Sequence, residues 1–308
     1  MDSKDKFNTQ LDKLYTDIIN NPEKDIERTI CNRLDKCGIM YRSFSRTKEK
    51  ESVKKKIEKK RDIYLRDKKK MQDLVGIRIV LYFRDDVDIC INILKKLFDV
   101  DNYEYDKPDI ETFRPQRINY VFKMPTDIMK IPDNISGDCL IDNTFEVQIR
   151  TIFSEGWHEV EHDIRYKFLN EWNTVPELSR ELNGVLAVLE ICDHNIMSIC
   201  EQLAYKKYKE KDWDSMIRNR FRLRFAHQPL DAKLSHILSE NPKLAKNILR
   251  FEREKLIDFF AQNTVPRNCN NAVYIINQIR LHNESITDIT PEVIVEKCKN
   301  YNGCEISD

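Results

Sequence analysis

The sequence predicts an α/β fold built on a small mixed sheet and followed by an all-helical C-terminal region. Three observations carry this. Leu74-Val75-Gly76-Ile77-Arg78-Ile79-Val80-Leu81-Tyr82-Phe83 is dense in β-branched and aromatic residues, as a strand requires. Two further runs of this kind, Arg117–Met124 and Thr144–Thr151, follow a helical pattern and are separated from each other by a polar loop. After Pro176 the apolar residues recur at helical spacing nearly to the end, interrupted at Pro229, Pro242, Pro266 and Pro291.

The elements follow in order. Lys6 to Cys37 reads as a helix, with Leu11 and Leu14 on its apolar side, and Gly38 ends it. Met40–Phe44 reads as a short strand and Ser52–Arg66 as a helix. After the strongest strand, Val87, Ile91, Leu94 and Phe98 mark one side of an amphipathic helix. Ser154–Phe168 is helical again. The helix through Lys206-Lys207-Tyr208-Lys209 runs out near Trp213, so the expected domains are residues 1–212 and 213–308.

With 308 residues, 41% of them apolar, the chain has enough material for a real core. Lys+Arg and Asp+Glu balance at 52 each, but the stretch from Arg42 to Lys70 is strongly basic. A local basic stripe in a neutral protein points to one phosphate-bearing ligand, against the bland alternative of a solvated helix face. The nine cysteines are scattered singly without a C-x-x-C, the N-terminus is polar, and no apolar run approaches a membrane span. These features point to a cytoplasmic protein.

Only six glycines are present, with neither a P-loop nor a G-x-G-x-x-G, so side chains must hold any nucleotide. Arg46, Lys48, Ser52 and Lys56 form a suitable set, with Ser52 placed where it would cap the helix that carries Lys56. Asp73 precedes the strongest strand. Glu146 lies between Phe145 and Val147, so alternation turns Glu146, Gln148 and Arg150 to one face. A polar row on a short, buried strand is costly unless it lines a site. Two carboxylates beside a basic cluster suit Mg²⁺–phosphate chemistry.

Four segments in series, Arg46-x-Lys48-x-x-x-Ser52-x-x-x-Lys56, Asp73-Leu-Val-Gly-Ile-Arg78, Glu146-Val-Gln-Ile-Arg-Thr151 and Trp157-x-x-x-Glu161-His162-x-x-x-Tyr166-Lys167, resemble the RelA/SpoT synthetase motifs. The resemblance spans roughly residues 40–170 and implies a nucleotidyltransferase-like fold. It implies a pyrophosphokinase in which Arg46, Lys48, Ser52, Lys56 and Arg78 bind ATP, while Asp73 and Glu146 serve Mg²⁺ and catalysis. Gln148, Arg150, His162 and Lys167 fall to the acceptor side. The implied acceptor is GDP or GTP, with tRNA 3′ ends or adenine nucleotides as the toxin-like or antiphage alternative. Fewer than fifty residues precede Arg46, too few for the hydrolase domain of bifunctional relatives, so a regulatory or antitoxin partner is expected to restrain synthesis.

Two departures stand out. Where the family carries a G-Y-x-S-x-H acceptor loop, this chain has Phe113-Arg114-Pro115-Gln116-Arg117-Ile118-Asn119-Tyr120, which makes Arg114 and Arg117 candidate acceptor residues and Tyr120 either a core-facing strand residue or a shifted substitute for the loop tyrosine. His158-Glu159-Val160-Glu161-His162 also fits H-E-x-x-H, so a zinc hydrolase stands as one rival from another class, with Glu181 as third ligand. A non-catalytic RNA-binding module is the second rival. Retention of both Asp73 and Glu146 opposes it.

Overall fold

The computed structural model describes residues 3–17, 21–66, 70–107, 116–129 and 140–301. Helices α1 (Ser3–Asp17) and α2 (Pro22–Cys37) occupy the segment expected to be one helix. Pro22 cannot continue a helix from its N-terminal side but is well suited to start one, and Asn21 before it adopts a left-handed φ of 45°. Gly38, at φ 79°, ends α2 as expected. Then come β1 (Tyr41–Thr47), α3 (Lys50–Arg66), β2 (Val75–Leu81), α4 (Asp86–Leu97), β3 (Val100–Tyr105), β4 (Ile118–Lys123) and β5 (Thr144–Thr151).

The five strands form one mixed sheet in the order β1-β2-β5-β4-β3. Only the central β2–β5 pair is parallel. β3 escaped the sequence reading because Val-Asp-Asn-Tyr-Glu-Tyr shows no buried alternation. It is an exposed edge strand, and pairing with β4 defines it.

One face of the sheet is apolar. Phe98, Phe122 and Phe145 meet there, with ring centroids 5.0–5.9 Å apart. A second cluster joins Leu11 and Leu14 of α1 to Val53, Ile57 and Tyr64 of α3, and to Met71 and Leu74. That cluster fixes the segment carrying Asp73, which enters β2 directly.

After β5, α5 (Ile152–Val160) starts at a capping box between Thr151 and Ser154. Its expected continuation to Phe168 is not regular α-helix. Residues Glu161–Arg165 form a π turn and Tyr166–Phe168 a 3₁₀ turn. The long α6 (Pro176–Lys209) follows, then the helical C-terminal region, whose next helix spans Trp213–Phe221. Trp213 thus begins an element, capped by Asp212.

By compactness the chain divides into two units that interleave in sequence. One comprises Met1–Cys31, Tyr41–Tyr82 and Cys90–Leu189, and holds the sheet. The other comprises Asn32–Met40, Phe83–Ile89 and Glu190–Asp308. Its core includes Phe221, Phe251, Phe259 and Phe260, together with a buried ion pair between Arg253 and Asp86 at 2.5 Å. Among the described residues, no helix is long and apolar enough to cross a membrane.

Candidate active site

The polar face of the sheet is organised by register. Arg46, Gly76, Glu146 and Val121 form one row across β1, β2, β5 and β4. Phe44, Arg78, Gln148 and Asn119 form the next. The alternation expected for β5 holds: Glu146, Gln148 and Arg150 are half-buried on this face, while Phe145, Val147 and Ile149 are buried on the other. Gly76 separates Arg46 from Glu146. A Cβ there would meet no atom within 4 Å, so packing does not require the glycine. Its bare backbone leaves the floor open between two functional side chains.

Two cavities share this floor. The smaller, of about 430 Å³, is lined by Arg46, Lys48, Asp73, Gly76, Arg78 and Glu146 among others. The larger, of about 680 Å³, is lined by Arg117, Asn119, Arg150, His158, His162, Tyr166 and Lys167 among others. Arg46, Arg78, Gln148 and Glu159 belong to both.

In the smaller cavity Asp73 is gripped by two ammonium groups. Lys48 Nζ lies 2.5 Å from its Oδ2, and Lys56 Nζ donates to both oxygens at 2.6–2.7 Å. Lys48 is held in place by its backbone N–H, which donates to the Leu74 carbonyl at 2.9 Å. Burial works to raise the Asp73 pKa, but the two lysines prevail and hold it below the usual value. Glu146 behaves oppositely. Burial, with the Asp73 charge adding to it, lifts its pKa against the hydrogen bond from Gln148 Nε2 at 2.9 Å. Two carboxylates in one cavity are thus driven apart, one fixed as an anion and one readier to take a proton.

Ser52 does not join them. α3 begins at Lys50, so Ser52 sits within the first turn instead of at the cap, is exposed, and lines neither cavity. The expected Ser52 cap is therefore corrected; Lys56, one turn on, does reach the site.

Glu155 links the two cavities. One of its oxygens accepts from Arg78 at 2.7 Å and the other from Arg150 at 2.8 Å. Glu159, one turn along α5, pairs with the same Arg78 nitrogen. Without such a brace two neighbouring guanidinium groups would repel: burial and Arg78 both depress the Arg150 pKa. Sequence reading missed both glutamates. Their i, i+4 spacing directly after a strand bearing Arg150 was the available signal, but only the register shows that Arg78 lies opposite.

The larger cavity has more exposed side chains in its lining. Arg117 is 59% exposed and pairs with Asp106 at 3.0 Å and Glu104 at 3.4 Å. Arg114 lies outside the described residues, as do Phe113 and Pro115. Tyr120 is buried on the opposite face and stacks on Tyr103 at 5.1 Å, the core position expected for it. Asn119, its neighbour, faces the cavity instead. Asp163 Oδ1 accepts from His162 Nδ1, 2.8 Å away, and from Lys167 Nζ at 2.7 Å. Burial, then the Arg150 charge, pushes the His158 pKa down to about 4, so this ring is neutral near pH 7. Both histidines of the H-E-x-x-H line the cavity, but among the described residues no group of three His, Cys, Asp or Glu is placed to hold a metal. Glu181 is exposed on α6. The zinc reading gains no third ligand.

The model of the family described as "Region found in RelA / SpoT proteins" matches residues 45–171. Residues 45–171 are thus a RelA/SpoT region. Apart from Phe44, every residue lining the two cavities falls inside the RelA/SpoT span. Among characterised relatives, GTP pyrophosphokinase YwaC of Bacillus subtilis (strain 168) is 27% identical over 165 residues, 52% of this chain and 73% of that protein. GTP pyrophosphokinase YjbM of the same strain is 29% identical over 114 residues, 36% of this chain and 49% of that protein. The crystal structure of small alarmone synthetase 1 from Bacillus subtilis aligns over 65% of this chain and 96% of its own, at 22% identity and a TM-score of 0.45.

Proposed function

We propose that this protein is a nucleotide pyrophosphokinase: it transfers the β,γ-pyrophosphate of ATP to the ribose 3′-hydroxyl of an acceptor nucleotide, with GDP or GTP as the acceptor. The observation that carries this reading is the pair of adjoining cavities on one polar sheet face, one built around two carboxylates and the other around cations, with Arg46, Arg78 and Gln148 between them. A transfer between two bound nucleotides needs this arrangement. The RelA/SpoT match over residues 45–171 and the names of the two Bacillus relatives point the same way.

In this mechanism ATP occupies the smaller cavity. Arg46, Lys48, Lys56 and Arg78 bind its phosphates, and the lysines exchange part of their hold on Asp73 for phosphate oxygens. The residues present fit a Mg²⁺ ion, which takes one or two carboxylates from a protein and completes its shell with phosphate and water. Asp73 and Glu146 would hold it, and it would neutralise charge on the transferring group. Glu146, with its raised pKa, takes the proton from the acceptor 3′-hydroxyl. The hydroxyl oxygen bonds to the β-phosphorus, the bond from that phosphorus to the α,β-bridging oxygen breaks, and AMP leaves. Arg78 and Arg150, braced by Glu155, hold donor and acceptor in register, so that positioning and charge neutralisation supply most of the rate. Arg117, Gln148, Arg150, His162 and Lys167 serve the acceptor.

The test is transfer from γ-³²P-ATP with Mg²⁺ to separate panels of GDP, GTP, ADP, ATP and bulk tRNA. Label on GDP or GTP is the expected result. Label on tRNA or adenine nucleotides alone assigns the toxin-like acceptor in place of the guanine nucleotide. No label on any acceptor overturns the pyrophosphokinase reading.

A further inference from the structure

We infer that Glu23 and Glu27 of α2, with Tyr15 of α1, are positioning residues: they hold β1 so that Arg46 and Lys48 meet the phosphates of ATP. This rests on the smaller cavity as the ATP site, as proposed above. All three residues precede the RelA/SpoT match at 45–171.

β1 is an edge strand, paired only with β2. Its side chains alternate: Arg42, Phe44 and Arg46 are exposed on the polar face of the sheet, while Ser43, Ser45 and Thr47 are half-buried on the other. Elsewhere that second face is apolar. Ser45 stands in a row with Ile77, Val147 and Tyr120, and Ser43 in a row with Ile79 and Ile149. Valine or isoleucine would suit such positions better, both in strand propensity and in apolar burial.

The hydroxyls serve α2 instead. Ser43 Oγ donates to Glu27 Oε1 at 2.7 Å and Ser45 Oγ to Glu27 Oε2 at 2.6 Å, so one carboxylate spans two strand positions. One helical turn earlier, Glu23 Oε2 accepts from Thr47 Oγ1 at 2.7 Å. One turn later, the Cys31 carbonyl accepts from the Tyr41 hydroxyl at 3.2 Å. Burial works to raise the Glu27 pKa, but hydrogen bonds from Ser45, Lys24 and Ser43 prevail and hold it below the usual value. Glu27 is therefore an anion near pH 7 and accepts from each of these donors.

The end of β1 is pinned as well. The Tyr15 hydroxyl donates to the Lys48 carbonyl, and the Lys48 N–H donates to the Leu74 carbonyl at 2.9 Å. Burial, then the Glu49 charge, pushes the Tyr15 pKa up to about 12, so this hydroxyl keeps its proton. Both polar backbone groups of Lys48 are fixed while its ammonium grips Asp73. Apolar packing would let a helix slide along the strand, whereas directional bonds to a charge set one register. A shift of about 1 Å in β1 would carry Arg46 and Lys48 with it, a misplacement that can cost on the order of 10²-fold in rate.

Two measurements on the full chain test this together: equilibrium dialysis with a non-hydrolysable ATP analogue and Mg²⁺, and amide hydrogen exchange without nucleotide. Glu27→Ala should raise the Kd of the analogue about tenfold, as for the loss of charge-assisted hydrogen bonds. It should also speed exchange over residues 43–48, while β4 and β5 exchange as in wild type. Glu27→Gln keeps an acceptor oxygen and should fall between Glu27→Ala and wild type. Glu23→Ala and Tyr15→Phe each lose one such contact and should raise Kd about threefold. Tyr15→Phe keeps the ring, so it carries the test if Glu27→Ala does not fold. A wild type that binds no analogue overturns the ATP site and this inference with it. A wild type that binds, with equal affinity in Glu27→Ala and Tyr15→Phe, overturns the inference alone. So does exchange that quickens across the whole sheet, which would mark these contacts as general stability.

Discussion

The cavities proposed for donor and acceptor share a floor yet are built on opposite principles. On the donor side the charges are already paired: Asp73 lies between Lys48 and Lys56, and Arg78 between Glu155 and Glu159. Those groups stay ordered through mutual contacts, and phosphate binding exchanges one ionic partner for another. On the acceptor side the cations are more exposed. Arg117 pairs only at the rim, and the largest organised features are the stacked rings of His162 and Tyr166 and a π turn. On the proposed function, the contrast gives pre-organised electrostatics to the half that would perform the same chemistry on every substrate, and an adaptable wall to the half that would select the acceptor.

The largest effect that would break this comparison is loss of the donor chemistry. Asp73→Asn and Glu146→Gln should each lower transfer by on the order of 10²–10³-fold or more, because each removes a charge needed in the transition state. Neither residue packs the core, so thermal melts should stay close to wild type. Near-normal turnover in either variant would dissolve the distinction between the two halves.

A smaller but more diagnostic change is Glu155→Gln. It keeps the shape and removes the charge that braces Arg78 against Arg150. We expect KM for ATP and KM for the acceptor to rise together, each by about tenfold, as for the loss of a charge-assisted hydrogen bond. An increase confined to one substrate would show that the brace belongs to one cavity only.

Tyr120→Ala separates stability from chemistry. Its ring is buried on the apolar face, so denaturant unfolding should report a loss of roughly 3 kcal/mol, with turnover below the melting temperature little altered. A strong catalytic defect in a folded variant would place this ring at the acceptor after all. Arg117→Ala should be milder, raising acceptor KM about two- to threefold at unchanged ATP affinity, in keeping with the small worth of exposed ion pairs.

The smallest effect concerns pH. Burial and Arg150 hold His158 near 4, well below the ordinary imidazole value of 6.5. Between those values the unfolded chain binds a proton that the folded chain refuses, so stability falls as pH drops through this window. Urea midpoints of His158→Gln should decline less steeply over the same range than those of wild type. An identical slope would show that His158 is not held neutral by the fold.

Much of the arrangement proposed as the donor site was legible because its signals are local. Asp73 adjoins an unmistakable strand, Glu146 stands between two apolar neighbours, and a period of two suffices to put Gln148 and Arg150 beside it. The acceptor site was less so. Arg117 and Lys167 were read from sequence as charges, but nothing in the chain order tells that Asn119 opposes Gln148, or that Glu155 closes on Arg78 some 77 residues earlier. The cap expected at Ser52 failed by three residues, since the helix begins at Lys50, an ordinary error at a helix end. The edge strand β3 was hidden since an exposed edge needs no apolar alternation.

Sequence alone determined which residues are available to the chemistry: two carboxylates, a basic motif with no glycine-rich loop, and strands whose polar positions fall on one face. It did so because helical and strand periodicities are set by backbone geometry within a few residues. Only the tertiary structure decided the pairing of β2 with β5, the grip of Lys48 and Lys56 on Asp73, the divergence of the Asp73 and Glu146 pKa values, and the π turn that precedes Tyr166. Those depend on charges and dielectric brought together from distant parts of the chain, and electrostatic energy follows distance in space, not separation in sequence.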